Sequence, residues 1–548
     1  MENSHSNGAV WKRWGKRGGF ALAVVIGILL LIQLLFNLFA KDYLKQKITT
    51  AIEASNRRAK ATISNLSLFT LNRQIKLEDI KIWRYVSAAD TTESPPVSDS
   101  LSIRSITLSG IEIYPLIFKG QLALRSITIN SPSLYAARST LSKGKLRKTN
   151  PSAYVYQRLK HHFRHPKIDE LQINNFSVSV RKKVEGDPIM TIKNFSINFS
   201  NILLDSVWIT NHPLLPSKKF QGTVDNLRWQ NSKYYYLKTG SVWFSSRDSS
   251  AMVKDISLYP KIPRYEFSRT AGHEVDRITL EISTLMIDGF DINSLIEDSH
   301  LAGRTIEIKH SDLDVFHNKI PPAAPTQRHT FPHLLFRRLD LPISIDSLKI
   351  SDANITYTEQ ENLVPKPGAI RFQHTNATIH NLYNYAYSDT ISLPITMHAT
   401  TDIMGTGRLN ADFSFPNNTS GRHHITGSLG PMPMEILNRT VENLGSVHIE
   451  SGKIHALNFD MDIGPEKSKG TLKMYYTGLQ IKIIDFDTDK EKNQKQFKSF
   501  LTNTFVIKKD NKPPLREGTI SYKREPKKSI FNYWWKSLLS GLKSSIGL

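Results

Sequence analysis

Two stretches of the chain are nearly the same line written twice: LSIRSITLSGIEIY at 101–114 and LALRSITINSPSLY at 122–135. In both, apolar residues stand at every second place, which puts them on one face of a strand. The line recurs in looser form as IDELQINNFSVSV from Ile168, ISTLMIDGFDI from Ile282 and IDSLKISDANITY from Ile345. Each copy carries a two-residue interruption (SG, NS, NN, DG or SD) made of turn or bulge residues. Two readings stay open: hairpin tips, or bends inside longer strands. The short flanking arms favour bends.

A chain of 548 residues is too long for one compact core. A strand array escapes that limit, because each strand packs on its neighbours alone. The expected class is therefore mainly β. The apolar face of such an array must be hidden. It can pack on a second sheet, close into a barrel, or curl into an open trough covered by something other than protein.

Residues 19–40, GFALAVVIGILLLIQLLFNLFA, carry no charge and are long enough to cross a bilayer as a helix. A cleaved signal peptide would have a shorter apolar region and a small-residue cleavage site, which LFAKDYLK does not offer. Lys12, Arg13, Lys16 and Arg17 precede the span and Lys41, Lys45 and Lys47 follow it, so the charge asymmetry is blunted; the expected N-terminus is cytoplasmic. Trp11 and Trp14 suit an interfacial belt. Acyl chains beside such an anchor are candidates to fill a trough. The expected organisation is a tail at 1–18, the span at 19–40, a connecting helix at 41–62 and a β region at 63–525. A helical insertion is expected near 149–167, and an amphipathic helix at 526–548. Prolines at 320–332 and charges at 485–498 mark connections. In the last segment Phe531, Trp534, Trp535, Leu538 and Leu542 share a helical stripe behind Lys527 and Lys528, which reads as membrane contact. A plain capping helix is the other reading.

The formal net charge is +23, which points to an anionic partner. No nucleic-acid fold is recognisable, and basic residues at both ends suit lipid headgroups. The chain has no cysteine, which excludes disulfides and thiolate chemistry. His161, His162 and His165 with Asp169 have metal spacing in part but lack an H-E-x-x-H core. Asp485, Asp487 and Asp489 begin like a calcium loop, but Lys490 and Gln496 stand where Gly and Glu are needed. No metal and no cofactor are expected. No nucleophile elbow, P-loop or dinucleotide fingerprint appears, so no catalytic residue is assigned. An overlooked Ser-His hydrolase is the enzymatic alternative.

The anchor followed by ATISNLSLFTLNRQIKLEDIKI at 61–82, and then by the paired line, resembles the start of an AsmA-like protein. IESGKIHALNFDMDIG and KGTLKMYYTGLQIKI at 449–483 are similar to that family's closing module, through Ser451, Gly452, Gly470, Leu472 and Tyr476. FNYWWKSLLSGLK at the end also fits. The resemblance implies a single-pass protein of the Gram-negative inner membrane with its bulk in the periplasm. It further implies a long curved antiparallel sheet that forms an elongated apolar groove. The family is related to TamB and to bridge-like lipid-transfer proteins, and is associated with phospholipid movement to the outer membrane, outer-membrane biogenesis and envelope integrity. Phospholipid is the implied partner, beside outer-membrane or envelope proteins. Groove candidates are Ile103, Ile106, Leu108, Ile111, Ile113, Ile127, Ile129 and Leu134. The rival is a scaffold for outer-membrane protein assembly without lipid transfer.

Overall fold

The computed structural model describes the chain apart from residues 1–25, 56–58, 86–96, 138–155, 158–159, 162, 183–185, 203–207, 209–213, 231, 322–328, 361–365, 385–392, 417, 419, 446, 484–507 and 548. The expected tail, the start of the span, most of the 149–167 insertion and the Asp485–Asp489 triplet lie outside the described residues. The protein is mainly β, with twenty strands among the described residues, each hydrogen-bonded into sheet. It divides into two compact units: Met1–Gln230 with Ser241–Arg247, and Asn231–Gly240 with Asp248–Leu548.

The first unit begins with helix α1 (Ile26–Ala54), apolar and long enough to cross a membrane. Its segment Phe36–Ala40 is π-helical. Strands β1 (Ala59–Phe69), β2 (Gln74–Tyr85), β3 (Val97–Ser109), β4 (Gln121–Ala137), β5 (Arg164–Arg181), β6 (Pro188–Ser200) and β7 (Lys219–Trp229) follow, each paired to the next. A short helix, α2 (Ile113–Lys119), joins β3 to β4. Strand β8 (Tyr235–Ser245) is divided between the units.

The second unit holds β9 (Ser250–Pro260), α3 (Glu266–Ala271), β10 (Asp276–Asp288), α4 (Ile292–Asp298), β11 (Leu301–Asn318), α5 (Pro332–Arg337), β12 (Ile343–Gln360), β13 (Gly368–Tyr383), β14 (Ile395–Ile403), β15 (Gly407–Phe415), β16 (His423–Leu429), β17 (Met432–Pro433), α6 (Asn438–Gly445), β18 (Val447–Ile463), β19 (Lys467–Ile483), β20 (Glu517–Lys523) and α7 (Ile530–Ile546). Its largest core lies under α7, around Met461, Leu472, Tyr476, Ile520 and Tyr533.

Several boundaries differ from the sequence reading. The connecting helix stops early, because β1 already starts at Ala59. Strand β5 starts at Arg164, inside the range read as an insertion. The sheet is not purely antiparallel: β4–β5 and β11–β12 are parallel pairs. Parallel neighbours need a crossover of a dozen or more residues. The 320–332 stretch and 149–163 of the other, both read as breaks in the β pattern, fall within those two crossovers.

The interruptions in the repeated line resolve both ways. SG and DG end their strands at Gly110 and Gly289, both with positive φ. NS, NN and SD lie inside β4, β5 and β12, where Ser131, Asn175 and Asp352 have φ of 47°, 56° and 56°. Asp79, Asn194, Asn226, Asp255, His310 and His374 do the same in β2, β6, β7, β9, β11 and β13. A left-handed residue of this kind bends its strand and inserts one extra position. Apolar residues then step by three across it, as in Ile75, Leu77, Ile80, Ile82, and stay on one face.

Candidate functional site

The ladder registers of the first unit assemble the apolar positions into rows that cross the strands. One row runs Leu66, Leu77, Ile106, Ile129, Ile173, Ile197 over β1 to β6. Its neighbour runs Leu68, Ile75, Leu108, Ile127, Leu171, Phe199, Phe220 and reaches β7. Beyond the bulges, Ala61, Ile82, Leu101, Leu134, Val178 and Ile192 form a third, with Ile63, Ile80, Ile103 and Pro132 between. Side chains in such rows are in contact across each strand pair.

This face is only part-covered. Ile48 of α1 packs on the Ile63–Ile80–Ile103 cluster, and Ile111, Leu116 and Ile202 cover the margin near β4. Ile106, Leu108, Ile127, Ile129, Leu134, Leu171 and Ile173 are half-buried. A sheet face sealed by a second layer would bury them. The opposite face is polar and internally bonded. Asn65 donates to Glu78 (2.9 Å), Asn130 to Ser105 (3.1 Å) and Asn174 to Asn130 (3.0 Å). Bonds from Lys76 and Asn65 hold the Glu78 carboxyl below its ordinary value.

The second unit repeats the device. A row runs Ala251, Ile287, Ile306, Leu348, Ile379, Met397, Phe413, Ile425, Met461 from β9 to β18. Here the far part is sealed, because α7 lies on it. The Trp534 ring lies tilted 5.6 Å from Phe413, and the Phe531 ring lies 5.1 Å from Tyr357 and, edge-on, 6.3 Å from Phe372. The Trp534 indole N–H donates to His423 Nε2 (2.9 Å), whose Nδ1 donates to the Gly421 carbonyl (3.0 Å). Burial pushes His423 down to about 4. His333, edge-on to it at 5.5 Å with neither ring nitrogen bonded, is pushed to about 4 by burial and then by Arg337.

No family model matches the chain, and a search of curated proteins finds no match.

Of the groove candidates, Ile106, Leu108, Ile127, Ile129 and Leu134 lie in the open rows and Ile103 in the cluster between them. Ile111 instead buries against Leu124 and Ile168 at the margin. Ile113 leaves the sheet: Gly110 ends β3, and Ile113 starts α2 with 41% of its surface exposed. Of the membrane-contact candidates, Phe531, Trp534, Leu538 and Leu542 pack on protein and Trp535 is half-buried. Leu66, Leu77, Ile173, Ile197 and Phe199 share the face and lie outside the paired line that supplied the candidates. The same step of three around NN marked Ile173, and only the ladder register could join it to Ile129.

Residues behind the family resemblance serve the closing core. Tyr476 is fully buried and donates its hydroxyl hydrogen to the Lys508 carbonyl (2.8 Å). Leu472 lies beneath α7, where a Cβ on Gly541 would come 3.0 Å from the Leu472 Cβ.

Proposed function

We propose that this is a membrane-anchored, AsmA-like periplasmic protein whose apolar sheet face shelters phospholipid acyl chains as they pass between inner and outer membranes. In that role it supports outer-membrane biogenesis and envelope integrity. The observation that carries the reading is the set of half-buried apolar rows crossing β1 to β7 behind a polar, bonded outer face. A row of this kind suits a hydrocarbon tail, since each methylene kept from water contributes about 0.8 kcal/mol. Headgroups stay at the polar margin. No bond needs to be made or broken, and no cofactor is required.

The test is lipid analysis of the full chain. In Ile129→Asp/Ile173→Asp, two neighbours in one row become charged. We expect most of the co-purifying phospholipid to be lost, with far-UV circular dichroism unchanged. Thr128→Asp, one residue away, should retain the lipid. Equal lipid in all three proteins would overturn the reading. The scaffold alternative draws support from the sealed core beneath α7, and would then take precedence.

A further inference from the structure

The end of the first unit where β1 turns into β2 carries a feature that strand packing does not require. Thr70, in that turn, donates its hydroxyl hydrogen to the Leu29 carbonyl (2.8 Å) and its N–H to Gln33 Oε1 (3.3 Å). Leu29 and Gln33 belong to the uncharged run 19–40. Polar side chains within a membrane span usually face a protein partner, and here the turn is that partner. Gln33 and Leu29 lie seven and eleven residues before Ala40, about 10 and 16 Å along a helix. The turn is thus held beside the apolar run and not beyond its end.

Helix α2 stands next to it. The Ile111 N–H donates to the Arg73 carbonyl (3.1 Å), and the Glu112 N–H to the Ala123 carbonyl (3.1 Å). Leu116 packs inward on the Ile111–Leu124–Ile168 cluster. Tyr114 and Phe118, four apart and so on one face, point away with 64% and 73% of their surfaces exposed. Their rings are 5.1 Å apart, and the Lys119 ammonium sits over Tyr114 at 5.6 Å. Leu71 of the turn, Phe69 at the end of β1, and Leu38 and Phe39 of α1 are exposed as well. Exposed aromatic and aliphatic side chains with a lysine at their edge have the chemistry of a membrane interface. Leu214, in the β6–β7 connection, is also exposed at this end of the strands. Sheet twist turns each successive strand by roughly 20–25° and carries that connection away from α1.

We infer that the β1–β2 turn and α2 form a second membrane contact, set into the acyl region of the leaflet beside α1. Phe69, Leu71, Tyr114 and Phe118 reach the acyl region. Arg73 closes the same turn, its N–H donating to the Thr70 carbonyl (3.2 Å), and the long side chains of Arg73 and Lys119 reach from there towards the phosphates; Glu112 is the acidic side chain of α2's approach. On the functional reading above, this places the end of the Leu68–Ile75–Leu108–Ile127 row within the leaflet, where lipid can enter without crossing water. The membrane contact itself does not depend on that reading.

The cysteine-free chain makes the test direct. Leu71→Cys, Tyr114→Cys and Phe118→Cys, each in the full chain, are labelled with a nitrobenzoxadiazole fluorophore. They are reconstituted in phosphatidylethanolamine–phosphatidylglycerol vesicles. Ser133→Cys, exposed at the other end of β4, is the aqueous control. We expect blue-shifted emission at the three rim sites, quenching by doxyl-labelled lipid and loss of quenching by iodide, with the reverse at 133. In the unlabelled chain, a photoactivatable phospholipid should attach to 69–73 and 113–119. Rim labels that behave like Ser133→Cys, or photo-adducts absent from both segments, would overturn the inference. Lipid content of the purified protein is read separately and bears only on the transfer function.

Discussion

At the scale of single residues, the His423–Trp534 bond shows how burial fixes chemistry. His423 must be neutral, with its proton on Nδ1, for Nε2 to accept from the indole. Its folded value of about 4 lies below the ordinary 6.5. The unfolded chain therefore takes up the proton first, and stability falls as pH drops from 6.5 towards 4. The difference, 6.5 minus 4, corresponds to about 3 kcal/mol at most. His333 adds a loss in the same window. We expect urea unfolding of the full chain to weaken between pH 6.5 and 4. His423→Gln, which keeps an acceptor but does not titrate there, should flatten part of that loss. A variant as acid-sensitive as the wild type would show that another group titrates. The sequence showed Trp534 on an apolar stripe, but a stripe does not say what it faces. Lipid and a buried histidine are both consistent with the same spacing.

At the scale of elements, the bulges decide the sheet. Without them, a strand of 18 residues such as β5 would twist regularly, and its second half would present the wrong face after a step of three. Asn, Asp, Ser and His occupy these positions because short polar side chains tolerate the left-handed region. In the second unit they also bond to one another. Asp352 accepts from His310 and His374, both at 2.9 Å, and those two bonds, the His374 bond first, hold its carboxyl below the ordinary value. Asn175→Val places a β-branched residue at φ 56° and should cost about 1–2 kcal/mol. Asn175→Gly should cost far less, as measured by urea unfolding. Similar losses for both would mean that the side chain's bonds, and not its backbone conformation, matter. This much was legible: NN, NS and SD announced turn or bulge residues inside an alternating pattern. Which were bends and which were strand ends was not, because that depends on whether a pairing partner continues past the break.

At the scale of the whole molecule, a sheet has to protect its edges, since an open edge invites other strands. In each unit a helix bonds backbone groups of one strand: α1 on β1 in the first, α7 on β20 in the second. On β1, the Ala61 N–H donates to Glu53 of α1 (3.3 Å), and Lys45 donates to the Ser64 carbonyl (3.3 Å). On β20, the Thr519 and Ser521 N–H groups donate to Ser544 and Ser540 of α7, both at 3.0 Å. The serines on the polar side of the last helix are edge caps. Deleting 526–548 should uncover both the β20 edge and the core around Leu472. The detergent-solubilised chain should then sediment as oligomers, whereas unchanged sedimentation would refute this role for α7.

Local pattern, read alone, settles what each segment can be. Period-two alternation made strands, the described part of the uncharged run, from Ile26, lies in a helix of membrane length, and paired polar residues made breaks, because each follows from backbone geometry within a few residues. Tertiary structure decided what those segments meet. Two parallel pairs, the joining of Ile129 to Ile173, the departure of Ile113 into a helix and the seat of Trp534 against His423 all rest on contacts between residues distant in the chain. No spacing within one segment encodes such contacts; they follow from which strands pair and in what register.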